Sequence, residues 1–268
     1  MEKSRGCTKL TGFCNRLSIA VFLFVVIPIG VSAQQAVGFD NSEAVLHYFA
    51  NSLRQGNIDD MLKACAFWHD DNVSKLDSKE YSRYTGFILP QINMHLPSQY
   101  DALVKADLIS RFAFQIKYFI FGMLLPPQFN VLMELNPVLL RNEEFITRFE
   151  RALDLSNVKD LEIVRADVLF PDWQFDENHT ERIEILKRIY GYTDRVEYFV
   201  LYKCNAKLYL GFITAVQYDS KWYVFELRSD FLNSPLDGRS FPISDINEYL
   251  DIISGSPNLQ HYFFRWSH

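Results

Sequence analysis

The sequence predicts an α+β fold in which a helical N-terminal half packs on a curved antiparallel sheet formed mainly by residues 158–229. Two observations support this prediction. Apolar residues recur at helical spacing in the first half of the chain, whereas alternation of apolar and polar residues begins after position 158. Helices that precede a run of closely spaced strands are typical of α+β proteins.

The first 33 residues have the pattern of a cleaved export signal. Basic residues precede an apolar run of about 15 residues, which is short for a membrane span of about 20 residues. The small residues Val31, Ser32 and Ala33 follow this run, where a signal peptidase would cut. We therefore expect residues 1–33 to be removed, and the remaining chain, 34–268, to form one secreted or periplasmic domain.

The charge of the exported part excludes one class of partner. Removing the four basic residues and the one acidic residue of the signal from totals of 27 and 33 leaves 23 basic and 32 acidic side chains. The resulting net charge of −9 repels phosphate backbones and anionic membrane surfaces. We therefore expect no nucleic-acid partner.

Two helices joined by a glycine turn are predicted to begin the exported chain. The first covers residues 43–54, with a cap supplied by one of the polar residues at 40–42, and Gly56 suits the left-handed position that ends it. The second is predicted over residues 58–67. One face of the first helix is apolar, formed by Val45, Leu46, Phe49 and Leu53.

A long apolar helix is predicted over residues 99–125. It is hydrophobic nearly all round, which is typical of a helix buried within the protein. A membrane span is the rival interpretation, but Asp107, Arg111 and Lys117 make it costly. We therefore expect burial, and no stable membrane span after signal cleavage.

Three strands are predicted close together near the end of the chain, over residues 195–205, 207–218 and 221–229. Asn205-Ala206 and Asp219-Ser220 are two-residue connections suited to tight hairpin turns. The first strand is apolar on both faces, as expected in the middle of a sheet that is covered on both sides. Further helices are predicted over residues 177–190 and about 243–253.

The order of these elements resembles the nuclear-transport-factor-two-like superfamily of cone-shaped α+β domains. The similar segments are SEAVLHYFANSLRQGNIDDMLKACAF, residues 42–67, and the strands within 195–229. The resemblance implies a sheet wrapped around the long N-terminal helix, with residues of about 73–153 as a helical insertion. The superfamily includes ketosteroid isomerase, limonene epoxide hydrolase and polyketide cyclases, as well as non-catalytic binding and assembly domains. No catalytic motif of those enzymes matches this chain.

Four residues are candidates for binding a ligand inside such a cone. His47 lies close to the apolar stripe of the first helix, where it would face a pocket or lie at the core boundary. Tyr198 and Tyr202 share one face of a strand, and Tyr209 is expected beside them on the next strand. These tyrosines either line an apolar pocket or belong to ordinary core packing.

Two cysteines, Cys65 and Cys204, remain after cleavage of the signal. In an oxidising compartment they can form one disulfide, which would close a loop of about 140 residues and stabilise the fold by roughly 4–5 kcal/mol. The alternative is two buried thiols that act as small hydrophobic groups.

No motif indicates a metal or a cofactor. His69, Asp70 and Asp71 with a distant His179 are the nearest to a ligand set, but adjacent loop residues rarely converge on one ion. We therefore predict no catalytic residues, metal or cofactor. The predicted function is binding of a small apolar ligand or a protein partner. The alternatives are an isomerase- or hydrolase-like enzyme with acid–base residues in the cone, and a structural subunit of a cell-surface assembly.

Overall fold

The structure is a computed structural model, which describes residues 37–77, 80–81, 101–125, 142–168, 177–228 and 238–254. The chain divides into Met1–Gln35, which lies outside the described residues, and Ala36–His268, which contains all of them. The export signal is therefore a prediction from the sequence alone, and the side chain of His179 lies outside the described residues. No helix in these ranges is long and apolar enough to cross a membrane.

Three helices of the N-terminal half begin at an asparagine cap. The side chains of Asn41, Asn57 and Asn142 each accept a hydrogen bond from the backbone of the first turn, and Gly56 has a φ of +68°. The described helices are α1 (Ser42–Arg54), α2 (Ile58–Lys63), α3 (Asp70–Val73), α4 (Asp101–Leu124) and α5 (Glu143–Ala152), with 3-10 turns at Ala66–Trp68 and Leu155–Val158.

The second helix is shorter than the predicted range 58–67. It ends at Lys63 because the chain turns there to meet the sheet, where the backbone N–H of Val224 donates to the carbonyl of Ala64 at 2.9 Å. Cys65 then forms a parallel bridge with Val224. The carbonyl of Ala64 therefore accepts a hydrogen bond from the sheet instead of from the next helical turn.

The second half of the chain forms an antiparallel sheet, as predicted, and the sheet is open. Its strand order is β1-β2-β3-β4, and β5 also pairs with β3. The described elements are β1 (Glu162–Val168), α6 (Glu177–Tyr190), β2 (Asp194–Cys204), β3 (Lys207–Tyr218), β4 (Lys221–Glu226), β5 (Phe241–Ile243) and α7 (Ile246–Ile253). Both hairpin turns have positive φ at their two central residues, Asn205-Ala206 and Asp219-Ser220, as tight hairpin turns require.

The strand β5 was not predicted, since residues from 229 onward read as an irregular tail with one helix. It pairs with Leu208–Leu210 of β3, while β4 pairs with Thr214–Tyr218. Because β2 occupies the other edge of β3, β4 and β5 share the remaining edge. A strand of three residues is too short to show a periodic pattern. Its partner also lies about 30 positions earlier in the chain, so the local sequence does not indicate the pairing.

The central strands are buried on both faces, as predicted for β2. One face packs against α1 and α4, and the other packs against α7. On the α7 side the buried residues are Phe199, Leu201, Leu210, Phe212, Phe241, Ile243, Tyr249 and Ile252. The observed architecture is therefore α+β, with the helical half packed on the sheet.

Candidate functional site

The three candidate tyrosines lie together on the face of the sheet that α1 and α4 cover. Tyr202 is directly opposite Tyr209 in the pairing of β2 with β3. Its ring packs edge-on against Phe119 of α4, with centroids 5.3 Å apart. The hydroxyl groups of Tyr198 and Tyr209 bond to the two helices: the first to Oγ of Ser42 at 2.7 Å, the second to the carbonyl of Met123 at 3.0 Å.

This packing is that of a core rather than of a pocket. Tyr198, Tyr202 and Tyr209 are each at most 6 % exposed. Tyr202 is fully buried, and its hydroxyl has no hydrogen-bond partner in the part of the chain that the structure describes. The interior expected to hold a ligand is thus filled by aromatic side chains at this point.

His47 is exposed on the outer surface of α1. The buried side of that helix is formed by Val45, Leu46, Phe49 and Leu53, as the apolar stripe predicted. His47 falls outside this stripe, so it does not reach the interior between the helix and the sheet. The structure therefore does not bring it together with the three tyrosines.

The two cysteines are free, buried thiols that lie far apart. Cys204 on β2 pairs with Lys207 on β3. The backbone of Cys65 pairs with Val224 on β4, which in turn pairs with Ala215 on β3. Lys207 and Ala215 are eight residues apart on β3, a distance of about 26 Å at the rise of a β-strand. A disulfide needs Cα atoms within about 7 Å, so of the two alternatives the structure shows the buried thiols and not the bridge.

A cavity of about 320 Å³ lies at the other end of the same layer, between α4, the end of α6 and the end of β4. Its aromatic part is a cluster of three rings, Phe67, Tyr190 and Phe225, whose centroids are 4.8–5.6 Å apart. The remaining lining residues are Leu108, Ser110, Arg111, Phe112, Phe114, Gln115, Glu226 and Arg228.

An irregularity in the sheet places β4 against this cavity. Thr214 pairs with Glu226 and Ala215 pairs with Val224, so Phe225 is an extra residue in the ladder. A β-bulge of this kind bends the strand and redirects its side chains. The bulge allows Phe225 to join the aromatic cluster while its neighbour Glu226 enters a charged cluster.

That charged cluster has three buried members, Arg195, Glu197 and Glu226, and a partly exposed one, Arg228. Nη2 of Arg195 lies 2.8 Å from Oε1 of Glu197 and 3.4 Å from Oε1 of Glu226. Nε of Arg228 lies 2.6 Å from the second carboxylate oxygen, Oε2, of Glu226. The Arg195 side chain is only 3 % exposed, and its guanidinium lies 5.7 Å from the centre of the Phe225 ring. Glu226 is therefore held between two arginines beside the cavity.

A second ion pair approaches the cavity from α4. Nε of Arg111 lies 2.8 Å from Oδ2 of Asp107, one turn earlier on the helix. The hydroxyl of Tyr81 donates to the same oxygen at 2.8 Å. Burial, and secondarily this hydrogen bond, raises the pKa of Tyr81, and burial also raises the pKa of Tyr190. Both phenols therefore remain protonated at neutral pH.

The arrangement is suited to recognition. Rings supply an apolar surface, and two guanidinium groups supply fixed positive charge. The carboxylates near the cavity are engaged in ion pairs, and the phenols are poor proton acceptors. The described ranges contain no group of three histidine, cysteine, aspartate or glutamate side chains that could hold a metal ion.

Sequence reasoning missed the charged residues of this site. Arg195 and Glu197 stand two apart on β2, so they share a face of a strand whose residues 198–202 are all aromatic or aliphatic. Charged residues in such a strand are a signal for buried pairing. Glu226 and Arg228 alternate with Phe225 and Leu227 at the end of the last strand, and nothing in that alternation indicates their partner on β2.

No protein-family model matches the chain, and no curated protein is similar to it at a significant level. Among solved structures, it is similar to a cystatin-like protein from Ruminococcus gnavus, with 14% sequence identity and a TM-score of 0.49. The match covers 92% of this chain and 50% of that protein, so the chain spans about half the length of the protein it matches. The α+β assignment rests on the elements described above.

Proposed function

We propose that the protein is an exported, non-catalytic binding protein whose cavity at the end of β4 takes a small apolar ligand. The observation that supports this proposal is the cavity itself, about 320 Å³ in volume and built around Phe67, Tyr190 and Phe225. Ligand sites are typically clefts of about 300–1,000 Å³ lined by aromatic side chains with a few polar groups.

The chemistry of the lining favours binding over catalysis. General acid–base catalysis needs a group that can exchange a proton near neutral pH. Glu226 is bound by two arginines, and the raised pKa of Tyr190 keeps its hydroxyl protonated. His47, the base that the enzyme alternative would use, is exposed on α1.

Two further parts of the proposal come from the sequence. Membership of the nuclear-transport-factor-two-like superfamily is supported by α1, the Gly56 turn and α2, followed by the late antiparallel strands. Export is supported by the basic and apolar pattern of residues 1–33. N-terminal sequencing of secreted protein tests export, because the first residue should lie near Gln34 and an intact Met1 would contradict it.

The binding proposal is tested by titration with N-phenyl-1-naphthylamine, a neutral aromatic probe that fluoresces in apolar surroundings. We expect saturable binding at one site per chain. Ser110→Leu, which introduces an apolar side chain at the cavity wall, should weaken binding by about tenfold or more. Ala102→Leu is the matched control, since Ala102 is exposed two turns earlier on α4 and does not line the cavity.

Two results would contradict the proposal. One is the absence of saturable binding to the folded protein. The other is an equal affinity for the wild type and Ser110→Leu, which would place the probe elsewhere on the surface. Circular dichroism of both variants establishes that they are folded before the titrations are compared.

A further inference from the structure

The cavity combines its aromatic floor with positive charge from two directions. Arg111 lines it from α4, and Arg228 lines it from the end of β4. The side chains of these arginines are 49 % and 35 % exposed, whereas those of their partners Asp107 and Glu226 are 23 % and 9 % exposed. The more accessible charge is therefore positive, with each carboxylate further from solvent.

We propose that the ligand of this cavity is an organic monocarboxylate, with its apolar body on the aromatic cluster and its carboxylate at Arg228 and Arg111. This inference rests on the proposed function and adds the chemical class of the ligand. Guanidinium groups present planar sets of donors that match carboxylate geometry, and hydrogen bonds between charged groups are about twice as strong as neutral ones.

The sign and size of the charge favour a single carboxylate over a phosphate. Two arginines and Glu226 line the cavity, and Asp107 contacts Arg111 beside it. A dianionic phosphate would place two negative charges beside these carboxylates, whereas a carboxylate places one. Six of the eleven lining residues are aromatic or aliphatic, so a ligand that buries no apolar surface would leave half of the lining unused.

The arginine at the end of β4 is held in place before a ligand arrives. Nε of Arg228 contacts one oxygen of Glu226, and the other oxygen of Glu226 faces Arg195. Arg195 is in turn held by Glu197 at 2.8 Å. Because this chain of ion pairs is already formed, binding requires little ordering of side chains, and such preorganisation raises affinity.

The experiment compares two competitors of the same shape. Bound N-phenyl-1-naphthylamine is displaced with 1-naphthoate or with its neutral isostere 1-naphthamide. In the wild type we expect naphthoate to act at a concentration about tenfold or more below that of naphthamide, the factor for one charge-assisted contact of about 1.4 kcal/mol. In Arg228→Gln the concentrations at which the two competitors displace the probe should differ by less than about threefold.

Two further variants keep the experiment decisive. Arg111→Gln alters the arginine from α4 and should also reduce the ratio, even if Arg228→Gln proves unstable. Arg54→Gln, at the exposed end of α1, should leave it unchanged. If the probe binds but the wild type does not distinguish the two competitors, the carboxylate inference fails and the binding proposal stands. If the probe does not bind at all, both fail.

Discussion

The same layer of the protein, between the sheet and α4, is closed at one end and hollow at the other. At the closed end Tyr202 packs against Phe119, and a Cβ atom at Gly211 would lie within 3 Å of both rings. At the hollow end Phe225 and Tyr190 face a cavity of about 320 Å³. Both ends are rich in aromatic residues, so aromatic content does not determine which end can bind a ligand. The difference arises from the bulge in β4 and from the buried charges behind it.

The largest effect is expected from breaking the buried charges. Arg195→Met removes the cation between Glu197 and Glu226. These two carboxylates, which are at most 9 % exposed, would then lack this partner. Removing one partner of a buried ion pair lowers the free energy of unfolding by about 3–5 kcal/mol. We expect this loss in the free energy of unfolding, measured by urea denaturation.

The control for that variant is Lys203→Met on the same strand. Lys203 pairs with Glu162, but their side chains are 50 % and 56 % exposed, and exposed pairs contribute less than about 1 kcal/mol. A loss of similar size in the two variants would mean that burial does not set the importance of these charges.

The next largest effect is expected from adding side-chain atoms at the closed end, compared with adding them at the cavity wall. Gly211→Ala would place a Cβ atom 2.7 Å from Cε2 of Phe119 and 2.9 Å from Cε2 of Tyr202. Overpacking of this kind costs about 1–3 kcal/mol. Ser110→Leu at the cavity adds a larger group, yet we expect it to change stability by less than about 0.5 kcal/mol. Thermal unfolding of both variants checks this, and equal losses would mean that the cavity wall is as tightly packed as the closed end.

Much of the architecture follows from local patterns. The residues at 205–206 and 219–220 predicted both hairpin turns, because their types tolerate the positive φ that the turns adopt. The unbroken apolar character of β2 predicted burial on both of its faces, and the asparagine before α1 caps that helix. Each of these features depends on residues that are close in sequence.

The site was not predictable in the same way, because its parts meet only in the folded chain. Glu226 joins Arg195 across 31 positions of sequence, and the extra residue Phe225 has no local signature in an apolar strand. The candidate tyrosines were placed correctly side by side, but their pattern is the same for a core and for a pocket. Whether the rings pack against each other or enclose a cavity depends on the distance between α4 and the sheet. The hydropathy pattern of the sequence gives no information on that distance.

A smaller effect should depend on pH at His69, whose ring packs edge-on against Tyr223 of β4. Burial, together with Lys105, lowers the pKa of His69 to about 4 from 6.5, and Asp70 and Asp71 oppose this shift. Between these pH values the unfolded chain binds more protons than the folded protein, so stability rises with pH through this range. The contribution is complete above pH 6.5 and is lost as the pH falls towards 4.

His69→Gln tests this pH dependence. With allowance for partial exposure, we expect the wild type to lose about 1–2 kcal/mol more than the variant between pH 7 and pH 4. The difference between the two proteins isolates the histidine, since the carboxylates titrate in both. Parallel curves of unfolding free energy against pH would show that the ring makes no such contribution.

The smallest effect is expected at Tyr202, with a sign opposite to that of the same substitution at Tyr218. Tyr218 donates its hydroxyl hydrogen to the carbonyl of Tyr190 at 2.8 Å, so Tyr218→Phe removes a bond and leaves that carbonyl unsatisfied, at a cost of about 1–2 kcal/mol. The hydroxyl of Tyr202 lacks a partner within the described ranges. Because an unsatisfied buried hydroxyl is unfavourable, Tyr202→Phe should be neutral or stabilising by up to about 1 kcal/mol. Urea denaturation of both variants separates these outcomes. A loss at Tyr202 as large as that at Tyr218 would reveal a partner for its hydroxyl, and the closed end would then contain a polar contact of its own.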